Sequence, residues 1–336
     1  MKAISVHSFG QPNVLVCRDL PKPSVGPGQL LIRMQAAGVN PVDDFIRSGN
    51  FDRFLPALPY TPGRDIAGII EELGAGVTGW SRGEEVFGML PYEQGSYAEY
   101  VVASAHEMAR IPEGLDPKIF AALPLPALTA WQGLFECGEL KPGQRVLIHG
   151  AGGGVGHLAV QFAMQAGAEV FATAHPLHLG ILQNLGLQNV LDFTTQRFED
   201  HVPKVHVVLD TLGGEIKRAS WQTLLPGGFM VCTHSIKVHP EGVHPEGSLP
   251  GVAQVEKETL LPYDPPRPPL ATPADQMHLR EVVVRPDVSQ LNTIAQMVKD
   301  GKVKVLIAKD FPMMHASDAH TYLHRSDRYG RIVLTA

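Results

Sequence analysis

The chain has 336 residues, is 44% hydrophobic and 18% charged, and carries a formal net charge of −6 at pH 7. That length fits about two domains, and that apolar content excludes a disordered chain. It has neither a basic stripe nor an unbroken apolar run of about 18 residues, so neither a nucleic-acid partner nor a membrane span is expected.

The opening MKAISVHSFG lacks the apolar run and cleavage site of a secretory signal. Cys17, Cys137 and Cys232 are far apart and show no CxxC spacing, which gives neither a disulfide framework nor a zinc cage. A cytoplasmic protein with reduced thiols is the expectation. In the first 120 or so residues, short β-type runs at 30–39, 66–73, 84–89 and 97–103 are separated by turn segments such as TPGRD and GVTGWSRG. Strands broken by Gly and Pro at this spacing predict a barrel-like antiparallel domain.

The texture changes near 123. PLPALTAWQGLFEC predicts a helix from about Ala127 to Cys137, with Thr129 near its start after a proline-rich strand end. Strands and helices then alternate. RVLIHG is followed by a helix on which Val155, Leu158, Ala159, Phe162 and Ala163 form one stripe. EVFATA, LGILQNLG, NVLDF, HVVLDT, a helix around Glu215–Leu225, and GGFMVCTH follow. Repeated βα units of this kind predict a doubly wound parallel sheet. Nine prolines between Pro240 and Pro273 then mark a long surface excursion over 236–277. It reads either as a cover over the substrate cleft or as a plain surface insertion. LREVVV resumes as a strand and DVSQLNTIAQMVKDG as a helix. VKVLIAKDF, a short helix around 316–325 and GRIVLTA look like a return to the first domain.

One loop carries most of the functional information. Ala151-x-Gly153-x-x-Gly156 follows a predicted strand and opens a predicted helix, the context required of a dinucleotide fingerprint. Glycines there let the backbone approach a pyrophosphate, and the helix N-terminus offers it free N–H groups. Gly153, Gly154, Val155 and Gly156 are therefore cofactor candidates. The second strand ends in Thr173, Ala174 and His175, followed by His178. No carboxylate is present to hold a ribose 2′-hydroxyl, which favours NADP over NAD, although no Arg or Lys is present either. His175 and His178 either meet the 2′-phosphate, most strongly when protonated, or are solvent-facing loop residues. The carboxyl ends of later strands add Leu212, Gly213, Thr233 and Ser235, because ligands of doubly wound sheets gather at such ends.

Blocks spread over nearly the whole chain resemble the zinc-free quinone oxidoreductases, the zeta-crystallin-like branch of the medium-chain dehydrogenase/reductases. They are AAGVNPVDDFIRSG (36–49), PGRDIAGIIEELGAGVTGW (62–80), GSYAEYVV (95–102), LPLPALTAWQGL, VLIHGAGGGVG, VVLDTLGGE (207–215), QLNTIAQMVKDGKVKV and YGRIVL. The resemblance implies a GroES-like β-barrel catalytic domain at 1–122, a Rossmann domain at 123–285 and a C-terminal return at 286–336. It also implies a cleft between the domains and a homodimer. Where zinc-dependent relatives place a Cys and a His–Glu pair, this chain has Asn40 and Gly63-Arg64-Asp65. No zinc is therefore expected. Asn40 and Asp43 match the family's polar pair beside the nicotinamide. Asn40 is the candidate hydrogen-bond donor to the carboxamide or substrate oxygen, and Asp43 the candidate orienting group. Equally, both fit as caps of a helix begun near Pro41. Thr129 matches the residue against the nicotinamide ribose. Phe51, Phe45 and Phe193 stand where relatives have tyrosines, and a lysine common after the second Rossmann strand is missing. The proton donor is thus left between Tyr60 and water.

The function these residues imply is NADPH-dependent hydride transfer to a quinone or an α,β-unsaturated carbonyl. The alternative is a non-catalytic NADP(H)-binding redox sensor or structural protein.

Overall fold

A computed structural model describes residues 1–51, 54–233 and 277–336. Ser235 and the proline-rich stretch from 236 to 276 lie outside the described residues. The chain divides into two compact units, Met1–Leu128 with Arg285–Ala336, and Thr129–Val284.

In the first unit the N-terminal strands are β1 (Lys2–Ser5), β2 (Val16–Asp19), β3 (Gln29–Val39), β4 (Asp65–Leu73), β5 (Glu85–Met89), β6 (Tyr100–Ser104) and β7 (Met108–Arg110). β1 and β2 form a separate antiparallel pair. β3 is the longest strand. It pairs antiparallel with β4 and with β6, and β4 passes the sheet on to β5 and β7. Beyond Gln29 its residues are buried except at Arg33 and Gln35, as expected of a strand between two others. The core gathers Ile4, Leu30, Ile32, Met34, Ile66 and Ile70.

The same unit contains α1 (Pro41–Ser48) and α2 (Pro117–Ala121). α1 has Asn40 at its N-cap, Pro41 in its first turn, Asp43 and Asp44 near its start and Arg47 near its end. Each of these suits a helix terminus. α3 (Pro124–Trp131) straddles the division between the units and runs into a π-helical segment, Gln132–Cys137. The expected helix from Ala127 therefore starts three residues earlier. Thr129 lies inside it rather than at its start, because prolines are tolerated in a first turn, where N–H groups have no intrahelical acceptor.

The second unit alternates β8 (Arg145–His149), α4 (Gly156–Gln165), β9 (Glu169–Ala174), α5 (Pro176–Asn184), β10 (Asn189–Asp192), β11 (Val205–Asp210), α6 (Gly214–Ser220), β12 (Leu224–Cys232) and β13 (His278–Glu281). All six strands are parallel, in the order β10-β9-β8-β11-β12-β13. The order reverses on either side of β8, and ligands of such sheets bind at that switch point. Val146, Leu147 and Ile148 on β8 are fully buried, which explains the unbroken apolar run. The helix expected up to Leu225 stops at Ser220, and a short 3-10 turn leads into β12.

The chain then re-enters the first unit through α7 (Val288–Lys299), β14 (Ile307–Pro312), α8 (Ala316–Leu323) and β15 (Arg331–Thr335). β15 adds antiparallel to β3, pairing Ile332 with Val39, and β14 pairs parallel with β15. Among the described residues no helix is long and apolar enough to cross a membrane.

Candidate active site

The glycine turn of the second unit joins β8 to α4. A Cβ on Gly156 would lie 2.2 Å from the Gly150 carbonyl oxygen and 2.6 Å from Ala151 Cα. Only glycine lets the helix start this close to the strand. Gly153 differs, since its nearest neighbour would be the Gly150 oxygen at 3.2 Å. The Gly153 carbonyl accepts from the His157 backbone N–H at 3.2 Å and from His157 Nδ1 at 2.8 Å, which pins the bend to the first turn of α4. The N–H groups of Gly154 and Val155 find no backbone acceptor among the described residues. They add to the donors that a helix start leaves unpaired. An open bend with free N–H groups and the positive end of a helix fits a diphosphate.

His149 organises the floor of this turn. Ser220 Oγ donates to the Ile216 carbonyl at 2.6 Å, so it accepts from His149 Nε2 at 2.8 Å. His149 Nδ1 is then left to accept from Thr173 Oγ1 at 2.9 Å. The ring is fully buried and neutral, and burial pushes its pKa down to about 4. Folding therefore disfavours the protonated ring. The stability this confers is complete above the ordinary pKa of about 6.5 and is lost as pH falls towards 4. Urea denaturation between pH 7 and 4 should show falling stability, with a contribution on the order of 2 kcal/mol from this ring. His149→Asn, which keeps a donor and an acceptor, should show a shallower decline. An equal slope in both proteins would remove His149 as the cause.

The two histidines after β9 lie differently from one another. His178 is buried, and its ring sits where a Cβ on Gly152 would be 2.3 Å from Nδ1. It supports the glycine turn from beneath and is not a solvent-facing residue. His175 is the N-cap of α5, with Nδ1 accepting from the Leu177 N–H at 3.3 Å. Phe193 stays beside it, ring centroids 6.1 Å apart. Ala174 ends β9 and is buried. The Asp210 carboxylate accepts from the N–H groups of Leu212 and Gly213, which turns the chain sharply after β11. Leu212 is exposed there, and the Thr233 N–H bonds the Asp210 carbonyl at 3.0 Å. The structure thus brings Gly153, Gly154, Val155, Gly156, Ala174, His178, Leu212 and Thr233 to the carboxyl end of one sheet, while Thr129 is buried within α3.

The catalytic candidates lie in the first unit, at the start of α1. Asn40 is fully buried. Its Nδ2 donates to Asp65 Oδ2 at 2.9 Å, and its Oδ1 accepts from Arg331 Nη2 at 2.9 Å. The amide is thereby committed to bridging an ion pair, since Arg331 Nη2 also lies 3.1 Å from Asp65 Oδ2. Asp65 further accepts from the Leu125 N–H at 2.8 Å, and Arg331 Nε donates to the Ala122 carbonyl at 2.9 Å. Asp43 accepts from the Asn40 N–H at 2.9 Å and from Tyr97 Oη at 3.3 Å. Burial pushes its carboxyl up to about 7 despite the Asn40 hydrogen bond. Both residues take the capping positions that their types favour, and both are anchored in the barrel interior.

Beside Asp43 lies a recess also lined by Tyr60, Arg64, Tyr92 and Gln94. Tyr92 was not singled out in the sequence. It supplies a phenol next to Phe51 and Phe54, at centroid distances of 5.6 and 5.3 Å, where the family pattern had lost one.

Two families of known proteins match the chain: the alcohol dehydrogenase GroES-like domain over residues 26–113, and the zinc-binding dehydrogenase over 185–334. A quinone oxidoreductase of Rattus norvegicus is 32% identical, over 99% of this chain and 97% of its own length. The chain belongs to the zeta-crystallin-like quinone oxidoreductase branch of the medium-chain dehydrogenase/reductases. It is accordingly an oxidoreductase, built from a GroES-like domain and a Rossmann-like parallel-sheet domain. Among solved structures, this oxidoreductase superposes on the quinone oxidoreductase of Coxiella burnetii with a TM-score of 0.83 at 29% identity, covering 100% of this chain and 99% of that one. It superposes on a mycobacterial protein complexed with NADPH with a TM-score of 0.78 at 26% identity, over the full length of both chains. These relatives favour the enzymatic reading over a sensor or structural role.

Proposed function

We propose that this oxidoreductase uses NADPH to reduce quinones or α,β-unsaturated carbonyl compounds without zinc. The glycine turn carries the reading: Gly156 closes β8 onto α4, while Gly154 and Val155 leave N–H groups for a diphosphate. Bound there, NADPH supplies a hydride from its nicotinamide. Gly153, Ala174, Leu212, Thr233 and Thr129 line or support the dinucleotide. His175 faces the 2′-phosphate, and His178 shapes the turn from below. NADP is favoured because the end of β9 carries no carboxylate to repel that phosphate.

Asn40 and Asp43 act as positioning residues. Asn40 ties α1 to the Asp65–Arg331 pair, and Asp43 fixes the first turn of α1 beside the recess. Zinc independence is supported by the donor set. Asn40 and Arg64 replace the expected ligands, Asp65 is engaged by Arg331, and the described residues hold no group of three or more metal-binding side chains. The protein is cytoplasmic and homodimeric in this reading. Exposed Leu279 and Val283 on and just after β13, an edge strand of the described sheet, suit a subunit contact.

The test is NADPH oxidation followed at 340 nm against a panel of benzoquinones, naphthoquinones and enones, with NADH in parallel. Turnover with NADPH, undiminished by a chelator, is the expected result. Saturable NADPH binding with no turnover on any acceptor would overturn it.

A further inference from the structure

The recess beside Asp43 contains a buried cation, Arg64, whose charge also acts on the carboxyl groups of Asp43, Asp65 and Glu107. Arg64 is 5% exposed. Its Nε donates to the Leu90 carbonyl at 2.9 Å, and its guanidinium carbon lies 3.8 Å from the centroid of the Tyr92 ring. Its Nη1 is buried with no hydrogen-bond partner. Two further wall residues are in the same condition, since Tyr60 Oη and Gln94 Oε1 are also buried and unpartnered. A buried donor left unsatisfied costs about 1–3 kcal/mol, and more when it is charged. Two of the three, Arg64 Nη1 and Tyr60 Oη, are donors, a cost that an accepting ligand atom would remove, whereas Gln94 Oε1 is an acceptor.

Their arrangement follows from the sequence. Gly63 has φ +98°, and a Cβ on it would lie 2.3 Å from the Tyr97 ring. Glycine at 63 therefore lets the chain turn tightly over Tyr97, and the next side chain enters the recess. The free volume is about 10 Å³, room for a single oxygen atom or one water. Two unpaired donors, one of them cationic, with room for one oxygen, match a carbonyl oxygen that becomes an oxyanion.

We infer that this recess seats the carbonyl oxygen of the acceptor, with Arg64 Nη1 and Tyr60 Oη donating to it. The inference rests on the NADPH-dependent reduction proposed above. As hydride adds to the conjugated carbon of a quinone or enone, a C–H bond forms and the nicotinamide is oxidised. The displaced π pair moves through the conjugated system to the oxygen, and the acceptor is reduced by two electrons. The negative charge develops on the oxygen held by Arg64 and Tyr60, and a proton from solvent completes the product. Arg64 and Tyr60 are then catalytic residues. Arg64 supplies the electrophilic assistance that a metal gives in zinc-dependent relatives.

Two measurements test this. In steady-state assays, Arg64→Met should lower kcat/KM for the acceptor about 10²-fold, the usual effect of losing one oxyanion donor, with NADPH affinity unchanged. Tyr60→Phe, which keeps the ring, should lose about tenfold or more and decides the matter if Arg64→Met does not fold. In the second, 4-nitrophenol is titrated against the protein without cofactor and its phenolate absorbance is read. The wild type should lower the apparent pKa of the bound phenol, Arg64→Lys should do so less, and Arg64→Met should not. If the wild type turns over acceptors while these variants match it in kcat/KM and in the phenol titration, the recess holds only water and the inference fails. If the wild type turns over nothing, the reduction proposed above is what fails. The phenol titration then still reports whether the recess binds an oxyanion.

Discussion

Gly156→Val should abolish measurable NADPH binding, whereas Gly153→Ala should weaken binding and leave the fold intact. The two positions belong to one fingerprint, but their surroundings differ. At 156 the added carbon would sit 2.2 Å from the Gly150 oxygen, a backbone atom with no rotamer to yield. The start of α4 must then move away from β8, the Gly154 and Val155 N–H groups turn with it, and the diphosphate loses its donors together. Overpacking of this kind also costs about 1–3 kcal/mol of stability. At 153 a methyl group would meet one atom at 3.2 Å, an adjustment of a few tenths of an ångström. Its effect falls mainly on the approach of the ligand. Fluorescence titration with NADPH and chemical denaturation of both variants check this. Binding by Gly156→Val within threefold of the wild type would show that the turn does not hold the diphosphate.

The different fates of these glycines show which parts of the fold are legible from sequence alone. The strand–turn–helix from Arg145 to Gln165 is encoded within about 20 consecutive residues, and its pattern and glycine spacing need no partner from elsewhere. The same holds for α7, where Asp287 caps the start through the Gln290 N–H and Gly301 follows the end with φ +70°. Thr129 was harder to place because Pro124 and Pro126 read as strand punctuation. They are in fact the first turn of α3. The catalytic unit is legible only in outline, because its interior is assembled from distant segments. Arg331 sits in GRIVLTA, which reads as an apolar closing strand. Nothing local indicates that its guanidinium crosses β3 to meet Asp65, 266 positions earlier. Tyr60 is a candidate proton donor by sequence and Arg64 stands where relatives place a zinc ligand, but only the recess shows that their polar ends are buried together. The N-cap preference at Asn40 and Asp43 was visible, but the ion pair that Asn40 bridges was not.

That ion pair is the site of the second large effect. Arg331 is 3% exposed and Asp65 fully buried. Burial pushes the carboxyl of Asp65 up and the guanidinium of Arg331 down, and each is opposed first by the other's charge. A guanidinium stays protonated in proteins, so Asp65 is its counter-ion. Arg331→Met keeps the length of the side chain and removes the charge. It leaves a carboxylate sealed in the barrel, hydrogen-bonded by Asn40 Nδ2 and the Leu125 N–H, with Arg64 as the remaining cation acting on it. Breaking a buried pair from one side costs about 3–5 kcal/mol, so this variant should unfold at much lower urea and should restore stability as pH falls and Asp65 takes up a proton. Asp65→Asn combined with Arg331→Met removes both charges and should be more stable than Arg331→Met alone, since an amide can still accept from Leu125. The double variant decides the cause. If it is no better than the single one, the loss comes from the packing of Arg331 and its bond to Ala122. If it recovers most of the loss, the stranded charge is the cause, and the bridge through Asn40 is what locks α1 and β15 to β4 in the catalytic unit.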